Sequence, residues 1–186
     1  MQAQPQHTHA AASNSHLLPE CCRHDRHETV GGETLHRESI GWKENLVAGC
    51  LGFSLAAWAK KTGLGNSLGA TAFRLADGLV RTPDGAWIAG GRLDEARAAG
   101  GDTFPGAPDL AVLVMSERDS WADVAARIHD LLAHGTREVW AIDAPGRVMH
   151  RYAAGRPAAT LAESDTLDGG ALLPGFTLPV TTLFPK

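Results

Sequence analysis

Apolar residues are spread unevenly along this chain, and their spacing divides it in two. Residues 1–40 hold few of them and keep no period, whereas helical and strand spacings alternate from residue 41 onward. Glu44 to Lys61 reads as the first helix, with Leu46, Val47, Cys50, Leu51, Ser54, Leu55 and Trp58 in the i, i+3, i+4 rhythm of one buried stripe. Ala48, Gly49 and Gly52 are small enough for close packing against a sheet. Lys60 and Lys61 complement the helix C-terminus, and Gly63 and Gly65 end it. Extended segments over Ala70–Leu75 and Leu79–Thr82 flank an Asp77-Gly78 turn, and Ala86-Trp87-Ile88 makes the next strand. The Gly-rich, charged stretch 90–107 reads as a loop, with one helical turn around Leu93 to Ala98.

The pattern is strongest from Pro108 to Leu132. Leu110 to Met115 is an apolar run of strand length, stopped by Ser116-Glu117-Arg118-Asp119-Ser120. Trp121, Val124, Ala125, Ile128, Leu131 and Leu132 then recur at helical spacing. Ser120 is placed as N-cap with Asp123 at N3, and Gly135 signals the C-terminus. Asp109 stands at the start of the strand and Arg127 two turns into the helix. Side chains alternate along a strand, so Ala111, Leu113 and Met115 share a face with Asp109, and both faces read as core. Glu138–Asp143 is a further strand, Pro145-Gly146 a turn, and Arg147–Tyr152 its hairpin partner. Short strands and turns occupy Thr160 to Phe184. Together these predict an α/β fold, a mixed sheet flanked by helices over residues 41–186, behind a disordered His-rich tail over 1–40. Trp58, Trp87, Trp121 and Trp140 fit apolar stripes and are expected in the core.

Composition adds exclusions. With 186 residues, 44% hydrophobic and 20% charged, the chain has the make-up of a globular domain, and a net charge of −4 gives no overall basic field. The longest apolar run, Leu46 to Ala59, is too short to cross a bilayer. The N-terminus lacks the basic start and apolar stretch of a secretory signal, so a cytoplasmic location without membrane contact is expected. Cys21, Cys22 and Cys50 do not make a disulfide framework. Cys21-Cys22-Arg23-His24-Asp25-Arg26-His27 holds zinc-ligand types without paired zinc spacings, and adventitious metal on a flexible tail is the favoured reading.

Taken in order, Pro83-Asp84-Gly-Ala-Trp-Ile, Pro108-Asp109-Leu-Ala-Val, Trp121-Ala-Asp-Val and Gly135-Thr-Arg-Glu-Val-Trp-Ala-Ile-Asp143 resemble the Uma-two family of restriction-endonuclease-like proteins. The tail from Asp165 to Val180, with Leu183-Phe184, is similar to that family's C-terminal signature. The resemblance implies the PD-(D/E)XK nuclease fold and divalent-metal-dependent hydrolysis of DNA. Two strand acids would hold Mg²⁺ or Mn²⁺, which polarises the phosphodiester and generates the nucleophile. It implies Asp84 and Asp109 as metal ligands, Arg127 as the catalytic cation, DNA as partner and a homodimer as the assembly.

The chain departs from the pattern at Leu113, where the family usually has glutamate, and at Arg127, where it usually has lysine. Glu44 falls near a position often held by histidine. Leucine cannot ligate a metal, and guanidinium is a poor stand-in for lysine in activating water. Glu117 or Asp119 swinging in as substitute ligand is one alternative, a solvated turn the other. Two functions therefore stand: an endonuclease weakened or silenced at its site, or an inactive nuclease-fold module for binding or dimerisation.

Overall fold

The computed structural model describes residues 26–37 and 40–184. In chain order the elements are β1 (Arg26–Val30), β2 (Glu33–Arg37), α1 (Trp42–Thr62), β3 (Gly65–Leu68), β4 (Phe73–Ala76), β5 (Leu79–Arg81), β6 (Gly85–Ala89), α2 (Arg92–Ala99) and β7 (Phe104–Pro105). There follow β8 (Leu110–Met115), α3 (Trp121–Ala133), β9 (Glu138–Asp143), β10 (Val148–Ala153), β11 (Ala159–Leu161), β12 (Thr166–Asp168), β13 (Thr177–Pro179) and a 3-10 turn, Val180–Leu183.

A six-stranded sheet ordered β11-β10-β9-β8-β6-β3 forms the centre, and only its β8–β9 pair is parallel. Parallel neighbours need a crossover, and α3 provides it. A second sheet runs β2-β1-β5-β4-β7, and β12 pairs with β13. The α/β mixed-sheet expectation holds. β8 is the axis: all six of its residues are buried, as its unbroken apolar run requires. Leu110, Val112 and Val114 face α1 together with Trp87, Trp140, Ile142 and Met149. Ala111, Leu113 and Met115 face α3, against Val124, Ile128 and Leu131. Ser120 caps α3 as predicted, its hydroxyl accepting the Asp123 backbone N–H at 3.1 Å.

Three expectations fail. Residues 26–37, assigned to a disordered tail, form the β1–β2 hairpin, closed by Gly31 and Gly32 at φ 60° and 84°. Both positive angles suit the twist of a two-residue hairpin turn, which a glycine pair permits. The remainder of that tail, with Cys21, Cys22 and His24 of the zinc reading, lies outside the described residues. On α1, Leu46 is 46% exposed, and Gly49 faces outward instead of packing on the sheet. The inner stripe is Val47, Leu51, Leu55, Trp58 and Ala59. Trp121 also lies outside the core, 45% exposed at the first turn of α3 and edge-on to His150.

Candidate functional site

The antiparallel register of β6 on β8 fixes where the two candidate acids fall. One step past the Gly85–Val112 pair, Asp84 lies alongside Leu113; one step past Trp87–Leu110, Asp109 lies alongside Ile88. Four strand residues, roughly 13 Å, separate those two levels. One divalent ion, bound at about 2.0–2.6 Å from its oxygens, cannot be held by both. The expected Asp84–Asp109 ligand pair is thus not brought together.

Each carboxylate has local work instead. Asp84 is buried, and its Oδ2 accepts the Val114 backbone N–H at 2.7 Å while its own N–H donates to Val112 O. These two bonds bracket Leu113, which is 1% exposed. At the other end, Asp109 Oδ2 accepts from Ala89 N–H and Arg92 Nη1, both at 2.9 Å, while Arg92 Nη2 donates to Ala107 O. Asp109 therefore ties α2 to the sheet. The residue at the level of Asp84 is Leu113, whose side chain packs with Val124, Ile128 and Leu131.

Arg127 does reach the corner near Asp84. It projects from α3, 5% exposed, and its Nη2 donates to the carbonyl of Thr82, two residues before Asp84, at 3.0 Å. Its partner comes from the hairpin that the hydrophobic pattern missed. Glu28, 1% exposed, accepts from Arg127 Nε at 3.2 Å and Thr82 N–H at 3.1 Å on Oε1, and from Arg81 Nη1 at 2.7 Å on Oε2. Arg81 also donates through Nε to Asp130 at 2.9 Å. Arg37 reaches the same cluster, donating to Asp119 Oδ1 at 3.0 Å. Burial lowers the pKa of Arg127 to about 10, against the opposing pull of Glu28, with Arg37 and Arg81 adding to the fall. It remains cationic at neutral pH. Burial also works against Arg81, but its bonds to Asp130 and Glu28 outweigh that and raise its pKa.

Glu117 and Asp119 do not supply a replacement ligand pair. Asp119 Oδ2 caps its own turn, accepting from Ser116 N–H and Oγ at 2.8 Å, and Oδ1 takes Arg37. Glu117 is exposed on the rim of a cleft of about 1080 Å³ between the hairpin, the start of α1 and the end of β8. Glu44 lines the same cleft from the first turn of α1, where a carboxylate suits the helix dipole. Among the described residues, no group of three or more His, Cys, Asp or Glu side chains is arranged to hold a metal ion. The donor set does not fit a divalent cation, because Glu28 is already bonded to two guanidinium groups and Leu113 has no donor. Glu28 was invisible to a search for apolar period, yet Gly31-Gly32 between Thr29-Val30 and Thr34-Leu35 is a hairpin signal that could have found it.

Comparison with known proteins agrees with this fold. A crystal structure described as a "putative nuclease belonging to DUF820" from Anabaena variabilis superposes with a TM-score of 0.76. It is 18% identical, and the alignment covers 90% of this chain and 93% of that one. No curated protein matches the chain. Among the described residues no helix is long and apolar enough to cross a membrane. The profile of the Uma2 (Uma-two) family, described as "Putative restriction endonuclease", matches residues 16–181, well ahead of the expected start at 41, and the chain belongs to that family.

Proposed function

We propose that this protein is a nuclease-fold member of its family in which divalent-metal-dependent hydrolysis of DNA is reduced to a trace or lost. What remains is a scaffold for binding. The observation that carries the reading is Leu113, buried beside Asp84, where phosphodiester hydrolysis would need a second carboxylate. Beside it, Glu28 and Arg127 neutralise one another in the interior. A magnesium or manganese ion would supply the charge that stabilises developing oxyanions and a hydroxide-like nucleophile. Asp84 alone is a weak holder for it, and Asp109 is too far away to help. Losing one such electrostatic group lowers turnover by about 10²–10³. DNA is the substrate class that the family implies, and Arg127, turned inward onto Glu28 and Thr82 O, is not presented to a phosphate.

The test is nicking of supercoiled plasmid with millimolar Mg²⁺ or Mn²⁺ at high protein concentration. Wild type is expected to match Asp84→Ala. Vigorous metal-dependent nicking that disappears in Asp84→Ala overturns the proposal. The converse variant, Leu113→Glu with Arg127→Lys, is expected to gain a magnesium-dependent rise in melting temperature that wild type lacks.

A further inference from the structure

The outer face of α1 carries a seam that no other element packs against among the described residues. Trp42, Leu46, Gly49, Phe53, Ala56 and Lys60 are spaced four, three, four, three and four residues apart, and all six are exposed. That spacing is the 3.5-residue period of a helix packed lengthwise on another helix. The inner stripe of Val47, Leu51, Leu55 and Trp58 is already used against the sheet, so the seam lies on the opposite side. Trp42 is 74% and Phe53 78% exposed, and no charged residue occurs anywhere from Asn45 to Ala59. A helix apolar on both sides is ordinarily buried on both.

We propose that this seam is a self-association surface, on which a second copy of the chain lays its own α1 antiparallel across a twofold axis. The argument for this occupant is the seam's self-complementarity. A twofold interface uses one patch twice, so the patch must contain both knob and hole. Antiparallel pairing centred at the level of Leu51 sets Phe53 against the partner's Gly49, Leu46 against the partner's Ala56, and Trp42 against the partner's Lys60. Every large side chain meets a small one or an ammonium that can lie on its ring. The hole is real: a Cβ at Gly49 or Gly52 would meet nothing within 4 Å, and the two glycines line a shallow groove with Ala48 and Ala56. Parallel pairing would instead stack ring on ring, glycine on glycine and Lys60 on Lys60. Trp42 and Phe53 alone expose about 300 Å² per copy at 150–250 Å² per aromatic ring. Across two copies these rings alone supply about 600 Å², more than half of the roughly 1,000 Å² that a specific interface must clear.

The experiment is light scattering with sedimentation equilibrium on the full chain, from micromolar to submillimolar concentration. The expected result is a dimer, converted to monomer by Phe53→Glu and by Gly49→Phe with far-UV circular dichroism unchanged. The exchanged pair, Gly49→Phe with Phe53→Gly, is expected to dimerise again because knob and hole have traded places. A wild-type monomer at all concentrations, or a dimer indifferent to Phe53→Glu, overturns the proposal. So does a monomer that co-sediments with phosphatidylcholine–phosphatidylglycerol vesicles, which would make the face a lipid contact. Failure of the exchanged pair to recover the dimer overturns the antiparallel register.

Discussion

The two faces of the central sheet solve the problem of burial differently. Toward α1, the sheet buries hydrocarbon almost throughout: Leu51 and Leu55 meet Val112, Val114, Trp140 and Ile142 in one continuous cluster. Toward α3, an apolar patch around Leu113 stops abruptly at four charged groups, Glu28, Arg81, Arg127 and Asp130. The first face gains by area alone. The second face gains only while every charge keeps its partner, because taking ions out of water costs about as much as pairing returns. A nuclease site belongs on a face of the second kind, where a fold can hold charge. Here the charges hold one another.

The largest effect is expected where that balance is broken. Glu28→Ala leaves Arg81 and Arg127 buried without their shared carboxylate and should cost about 3–5 kcal/mol in denaturant unfolding. Replacing all three, as Glu28→Leu with Arg81→Met and Arg127→Leu, should recover most of that loss and turn this face into the kind found under α1. If Glu28→Ala unfolds like wild type, the cluster is not holding the hairpin down and the contrast between the faces collapses.

On the α1 side, Leu51→Ala removes buried methyl groups from a packed cluster and should cost about 2–5 kcal/mol. The two variants should be distinguishable by the triple replacement, since no second-site charge change can rescue Leu51→Ala. A Leu51→Ala protein rescued by the triple replacement would show that the faces are not energetically separate.

The smallest effect belongs at the surface. Arg147 is bonded through its guanidinium to Glu163 and stacks over Phe184 at 5.0 Å. The bond to Arg147 holds the Glu163 carboxyl below its usual range, against the opposing effect of desolvation. A depressed carboxyl pKa contributes stability above the unfolded value of 4.5, and the contribution fades as pH falls through the lower folded value. Glu163→Gln should therefore differ from wild type above that window and converge with it in acid, by an amount typical of exposed pairs, which denaturation at several pH values would read. Divergence that grows toward acid would reverse the sign of this linkage.

Much of the architecture could be read without coordinates because it depends on local period. The Leu110–Met115 run had to be buried on both faces, and Ser120 with Asp123 had to start α3. The ordered motifs from Pro83 to Phe184 were enough to indicate the family, and Leu113 was legible as one more apolar position in a strand that is apolar throughout. Spacing alone did not decide which side of α1 faced in, because leucines and glycines lie all round that helix. It also could not place Glu28. A polar hairpin carries no apolar period, and its one buried carboxylate is explained only by arginines 53 and 99 residues away. Nor could it tell that Asp84 and Asp109 sit at different levels of the sheet, because the register of β6 on β8 is set by packing between distant segments. Sequence thus determined which strand and helix positions carry hydrocarbon and which carry charge, while tertiary structure decided which charges meet: ion pairing in a dry interior is a property of neighbours, not of order along the chain.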